Sequence, residues 1–399
     1  MTNGTLSNHR KGMATNSYIG FLVFSDDWGE HPSSCQHIFR HIAKKYPVLW
    51  VNTVGMRSPK MTMTDFRKSV SKLRKMVFGI GENNSVRNRE PNITVYQPPM
   101  LPFSRIPGMR KLNRIMVSSG VRKHLSVLGM EKPLLVSTVP NACDYIGHCN
   151  EQRVVYYCVD DFTEWPGLDQ QVVSHMEKEL IGKSDVFVAT SQKIFEKLCE
   201  HGKRTYRLNH GVDLEFFGRE PKQEHEVLRG IPSPRVGYFG LFDERSDQNL
   251  LAQVAKKMPD FSFVITGRVE TDVQCLKLLP NFFFTGSVPY DELPAVIKGL
   301  EACILPYSVN ELTEAISPLK LKEYLASGKP VVSTPIPEAK RFDSFVHIAE
   351  TAEGWVEALR CSVTNQSVGA KIKRATFLLN ETWEKKASQF LEICLQFSR

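Results

Sequence analysis

The chain has 399 residues, 42% of them hydrophobic and 24% charged, which fits a globular protein large enough for two cores; no apolar run approaches the ~20 residues that a membrane span needs. Nine cysteines, odd in number and without CxxC or paired Cys/His spacing, argue against a disulfide framework or a zinc site. The net charge of +8 is unevenly spread: residues 1–135 hold 21 Lys/Arg against 7 Asp/Glu, and the remainder 30 against 36.

The first sixteen residues are polar and lack the apolar core of a signal peptide, so they read as a disordered leader on a cytoplasmic protein. Tyr18–Ser25 is a buried strand pattern. The polar loop after it leads into a helix over about 34–45, whose first turn carries His37, a candidate cleft residue. A second strand follows at Val48–Asn52. Residues 57–90 and 98–115 read as insertions. The first holds Arg57, Lys60, Arg67, Lys68, Lys72, Arg74 and Lys75 among Phe66, Val70, Leu73, Met76, Val77 and Phe78, a pattern that suits a basic amphipathic helix on an anionic membrane surface. The second holds Arg105, Arg110, Lys111 and Arg114. Nucleic-acid binding is the rival reading of this charge, but no groove-reading or zinc-finger motif accompanies it. Leu134–Thr138 and Val154–Val159 are further strands, the latter running into Asp160-Asp161. A helix over about 169–183, a strand at Val186–Thr190 and a helix capped by Ser191 complete the first half.

Gly211, Gly218, Pro221, Gly230, Pro232 and Pro234 cluster with charged residues at 209–234 and mark a linker. A second strand–helix series follows: Val236–Phe239, Gln248–Lys257, Ser262–Thr266, Phe282–Thr285, Ala302–Leu305 and Val331–Ser333. A last helix is expected over about 381–397. The alternation predicts an α/β fold of two Rossmann-like domains, 17–208 and 235–375, with a C-terminal helix at 376–399 able to cross back to the first. Ligands of such sheets bind outside the carboxyl ends of the strands, which places a site in the cleft between the domains.

Three motifs of the second half supply chemistry for an anionic ligand. Gly240 ends a strand where close backbone approach is needed, and Arg245 beyond it can grip phosphate oxygens in bidentate fashion. Gly267-Arg268 ends the next strand in the same manner. In the segment Ser317–Thr334, Pro318 opens a helix and Gly328 closes it. Lys320 in its first turn opposes the helix dipole unless an anion binds there, while Glu323, one turn on, can accept hydrogen bonds from sugar hydroxyls. A turn with a surface arginine and a helix with a Lys320–Glu323 ion pair are the plainer readings.

These stretches, with TSQKIFEKLCEHGKRTYRLNHGVDLEFF at 190–217, GYFGLFDER at 237–245, FFFTGSVPYDELP at 282–294 and LPYSVNELTEAISPLKLKEYLASGKPVVST at 305–334, resemble the GT-B glycosyltransferases of family 4, nearest to the bacterial exopolysaccharide and teichuronic-acid type. The resemblance is strong over about 154–340 and weaker over 17–150. It implies a retaining, metal-independent transferase using a UDP- or GDP-linked sugar as donor and no other cofactor. It assigns Arg245 to the donor diphosphate, and Ser317, Pro318 and Leu319 to the loop facing that diphosphate and the sugar. Glu323 is the second glutamate of the family's E-x7-E motif, on the nucleotide ribose. The first would stand at Ala315, with Glu314 beside it as a substitute. VVYYCVDD at 154–161 is similar to the family strand that ends in His-Asp, so Asp160 takes the histidine position and Asp160 and Asp161 are candidates for substrate hydroxyls, helix capping being the plain alternative. A glycan or lipid-linked envelope acceptor and a peripheral place on the inner face of the plasma membrane follow from the resemblance and the basic N-terminal half. Two other classes fit the same architecture: a nucleotide-sugar epimerase, which needs further acid/base carboxylates, and a non-catalytic nucleotide-sugar or membrane-binding protein, which Ala315 keeps open.

Overall fold

A computed structural model of the protein describes residues 20–29, 33–52, 90–100, 108–165, 168–364 and 368–396; the expected leader and the basic stretch 57–78 lie outside these residues. Seven parallel strands form the first sheet: β1 (Phe21–Ser25), β2 (Val48–Asn52), β3 (Ile93–Tyr96), β4 (Leu134–Ser137), β5 (Arg153–Cys158), β6 (Val186–Ala189) and β7 (Arg204–Arg207), in the order β3-β2-β1-β4-β5-β6-β7. Six more form the second: β8 (Arg235–Phe239), β9 (Ser262–Thr266), β10 (Phe282–Gly286), β11 (Ala302–Leu305), β12 (Val331–Ser333) and β13 (Val346–Ile348), in the order β10-β9-β8-β11-β12-β13. Each sheet thus starts at its centre and reverses its winding once, leaving a switch point beside β1 and beside β8, where strand ends open a crevice.

The central strands are apolar on both faces because helices cover both sides. Phe21, Val23 and Trp50 point to one side of the first sheet and Leu22, Phe24 and Leu49 to the other. Helices α1 (Ser34–Ile42), α2 (Met109–Val127), α3 (Gln170–Lys183) and α4 (Gln192–Cys199) belong to this domain; α5 (Gln248–Lys257), α6 (Glu311–Ala315) and α7 (Leu319–Ala326) belong to the second. Ser33, Asp169, Ser191 and Asp247 each accept a backbone N–H at a helix start, fixing where α1, α3, α4 and α5 begin.

Two elements depart from the expected pattern. The insertion expected to run through 115 is helical from Met109, and β3 was not anticipated. The apolar stripe of α2 is thin, with Asn113 and Ser118 among its buried residues and no side-chain cap at its start. β3 is an edge strand of four residues, none fully buried.

The last helix, α8 (Trp383–Leu395), returns to the first domain and packs along α1. Its Phe390 ring lies 5.2 Å from Tyr157 and 5.9 Å from Phe39, so it completes one core face of the first sheet. The chain therefore crosses between domains twice, and the crossings are tied together. Val212 N–H donates to the Glu381 carbonyl at 2.9 Å, and Val212 and Thr382 form a parallel bridge. Gly211 lets them approach: a Cβ there would stand 2.6 Å from Trp383 Cε3 and 2.9 Å from its Cα. Backbone cannot yield as a flexible side chain can, so Gly211→Ala is expected to lower the unfolding free energy by about 1–3 kcal/mol, read from urea denaturation.

Candidate functional site

Asp160 follows β5 of the first domain, and Arg245 follows β8 of the second. The two sit within electrostatic reach of one another, so the carboxyl ends of both sheets converge on one place. Arg245 is held from behind. Its Nε donates to Asp243 Oδ1 at 2.9 Å and its Nη2 to Oδ2 at 2.7 Å, leaving Nη1 without a hydrogen-bond partner among the described residues. The guanidinium carbon stands 5.7 Å from the ring centres of both Trp165 and Tyr307, one from each domain. Burial works against its charge, but the Asp243 bonds and charge, together with the neighbouring Tyr307 and Tyr238, outweigh it and keep the arginine firmly protonated.

Burial pushes the Asp160 carboxyl up to about 7; Arg245 opposes this rise and Asp161 adds to it. Asp161 itself has other work. It caps the short turn at Phe162–Glu164, accepting from Thr163 N–H at 3.2 Å, and it pairs with Lys197 of α4 at 3.0 Å. Burial would raise its pKa, yet the Thr163 and Lys197 bonds hold it below the ordinary carboxylate value.

In the second domain, Gly240 has φ +110°, a backbone that disfavours any side chain, and the Lys320 stem fills the space that a Cβ would take. Lys320 Nζ lies 5.2 Å from the centre of the Tyr238 ring. Lys320 opens α7, whose N-cap, Pro318, offers no side-chain acceptor. The start of α7 thus lacks a side-chain cap and carries an ammonium in its first turn, a combination that suits a phosphate. Ser317 is buried at the start of this turn, and Leu319 packs against the core of the first domain. Glu323 follows on the same helix face; burial raises its carboxyl to about 7, with Lys320 acting in the opposite sense. Tyr290, stacked on Phe216 at 4.8 Å, feels the Glu323 charge and so stands close to it.

The structure thus brings Asp160, Arg245, Lys320, Gly240 and Glu323 near one another, with Ser317, Pro318 and Leu319 adjoining Lys320 in the chain. The remaining candidates lie elsewhere. His37 stacks flat on Trp383 at 4.5 Å, under the C-terminal helix, and burial lowers its pKa to about 3. Arg268 is mostly exposed and pairs with Glu270 at 3.2 Å. Glu314 reaches out of the second domain to Lys193 of α4 at 3.2 Å. Ala315 is 2% exposed and joins the apolar cluster of the first domain that contains Ile194 and Leu198. A glutamate at 315 would have to place its charge in that cluster, which accounts for the alanine. Sequence reasoning missed Trp165, Tyr238, Asp243 and Tyr307. Asp243 alone had a local signal, its spacing two residues before Arg245.

Among the described residues, one cluster has the ligand types and spacing of a metal site: Cys143, Asp144 and Glu179. Arg110 fills it, donating to Asp144 at 2.6 Å and to Glu179 at 3.0 Å, so an ion pair network explains the acidic groups. No helix among these residues is long and apolar enough to cross a membrane.

Residues 233–365 match the family described as glycosyl transferases group 1. Over 194 residues the chain is 27% identical to a Bacillus subtilis (strain 168) protein named "Putative teichuronic acid biosynthesis glycosyltransferase TuaH"; the match covers 46% of this chain and 49% of that one, so it spans about half the length of the curated relative. Anabaena Alr3699/HepE, solved in complex with UDP-glucose, superposes with a TM-score of 0.65 at 12% identity over 95% of this chain and all of that one. Sucrose-phosphate synthase of Thermosynechococcus elongatus gives 0.67 at 14% identity, covering 95% and 98%. At such identities the likeness is one of fold.

Because the Asp160 carboxyl is raised from an ordinary 3.8 to about 7, its ionisation costs the folded state nothing near pH 4 and its full penalty above pH 7. Asp160→Asn is expected to melt with the wild type near pH 4 and at a higher temperature at pH 8, as read by calorimetry across that range.

Proposed function

We propose that this chain, a group 1 glycosyltransferase by its C-terminal domain and GT-B in fold, moves a sugar from a nucleoside-diphosphate donor to a polysaccharide or lipid-linked envelope acceptor. The observation that carries the reading is that Arg245 and Lys320 both act on the buried Tyr307, with Lys320 in the first turn of a helix that has no side-chain cap and Glu323 one turn beyond. Two cations and a helix start suit two phosphates, and Glu323 is the carboxyl assigned to ribose hydroxyls.

In the transfer, the anomeric carbon exchanges its bond to the diphosphate oxygen for one to an acceptor hydroxyl oxygen, whose proton passes to the departing diphosphate. Negative charge grows on the departing diphosphate. Arg245, Lys320 and the α7 N–H groups stabilise it without having to reorganise, because Asp243 and the Gly240 backbone already hold the two cations in place. Asp160, on the opposite wall, is the carboxyl placed to meet hydroxyls of the donor sugar or acceptor. With the cations doing the work of charge stabilisation, the reaction needs no bound metal. Retention of anomeric configuration rests on the family resemblance. The envelope acceptor is supported by the name of the Bacillus relative, and the nucleotide sugar by the UDP-glucose complex of the Anabaena neighbour. A place on the inner face of the plasma membrane is supported by the excess of 21 Lys/Arg over 7 Asp/Glu in residues 1–135, attractive to anionic lipid.

Incubation with a panel of UDP- and GDP-sugars and a lipid-linked acceptor tests the reading, with sugar transfer as the expected result. Saturable donor binding without turnover would leave a non-catalytic binder instead. Arg245→Ala is expected to keep the fold and to cut turnover by about 10²–10³-fold, the usual cost of losing one preorganised charge-stabilising donor. Unchanged UDP and GDP affinity in calorimetry would sink its assignment to the diphosphate.

A further inference from the structure

The helix that carries Lys320 and Glu323 into the cleft also carries Lys322, and that lysine points the other way. Two residues along an α-helix is a turn of roughly 200°, so Lys322 faces the interior while its neighbours face the ligand space. It is 2% exposed. Its ammonium donates to the His210 carbonyl and to Glu381 Oε2. His210 lies in the first crossing between domains, and Glu381 closes the second. The same Glu381 oxygen accepts Lys386 of α8 at 3.1 Å, and Lys386 in turn donates to Asn209 Oδ1 at 2.7 Å. On the far side, the His210 ring bonds through Nδ1 with Ser34 Oγ at 2.6 Å, at the start of α1. One connected set of polar groups therefore joins the donor helix, both crossings, the C-terminal helix and the first domain.

An apolar side chain of similar length would fill this space without the cost of desolvating an ammonium. What a lysine adds is direction: its donors reach fixed acceptors on two crossings, so helix α7 can take only one pose relative to them. Burial lowers its pKa to about 8, and Glu381 is the group that holds it charged. We propose that Lys322 is a positioning residue that couples the donor helix to the hinge, so that a ligand engaging the start of α7 is felt at the two crossings and the domains respond as a unit. The inference rests on the donor reading above.

Hydrogen exchange on the full chain, with and without saturating UDP or GDP, tests it. In the wild type, nucleotide is expected to slow exchange at 317–326 and also at 209–213 and 380–383. In Lys322→Met the slowing at 317–326 should remain and that at the crossings should be lost, with Lys322→Arg restoring it. Glu381→Gln, which keeps an oxygen acceptor and removes the charge, provides the same comparison should the methionine variant not fold. Nucleotide-dependent slowing at the crossings that persists in these variants would overturn the proposal. So would faster exchange there that is alike with and without nucleotide, the mark of a merely structural lysine, or a wild-type response confined to 317–326. A nucleotide that slows exchange nowhere overturns the donor reading itself, and the coupling with it.

Discussion

The two crossings between the domains meet at a single carboxylate. Glu381 sits between the ammonium groups of Lys322 and Lys386, lowered in pKa by both despite its burial, and its backbone carbonyl accepts Val212 N–H. Charges so placed are costly one at a time and tolerable only together. Remove the carboxylate and two buried ammonium groups face each other; remove a lysine and the remaining pair loses its link to one of the domains. Everything else in the cleft presupposes this joint, because Arg245 and Asp160 meet only if the two sheets are held with their strand ends opposed.

On that frame the site divides its labour by domain. The second domain supplies the positive wall, with Arg245 braced by Asp243 and Lys320 lying along the glycine backbone at 240. The first supplies Asp160 and the Trp165 ring. Both carboxyls, Asp160 and Glu323, are pushed up to about 7 by the same cause, burial among their neighbours. A carboxyl in that state can hydrogen-bond as donor or acceptor, which suits hydroxyl-rich ligands.

Much of this was legible in the sequence because it is local. The glycine ending β8, the proline opening α7 and the arginine beyond Gly240 announce their roles through backbone chemistry and short spacing, and the buried parallel strands through continuous apolar runs. What escaped notice depends on contacts between distant segments. His37 looked like a cleft residue from its place in the first turn of α1, but the C-terminal helix, more than three hundred residues later, lays Trp383 over it. Glu314 looked like a stand-in for a glutamate at 315, yet its partner Lys193 belongs to the other domain. Tyr307 and Trp165 approach Arg245 from opposite lobes, and no periodicity in either stretch could say so. Asp161 was half legible, since an aspartate just before a turn is a natural cap.

The return of the C-terminal helix has a consequence for how the molecule comes into being. One face of the first sheet is finished only by Trp383, Ala387, Phe390 and Cys394, which are made after all the strands of the second domain. During synthesis the second domain can close its own core while the first still shows water an apolar face over β1, β4 and β5. Contacts between residues more than three hundred positions apart are slow to form, and unfinished apolar faces invite association with other chains. The order of assembly is thus inverted relative to the order of translation: the lobe that is made first is completed last, and a cut at the linker would leave it without its final layer.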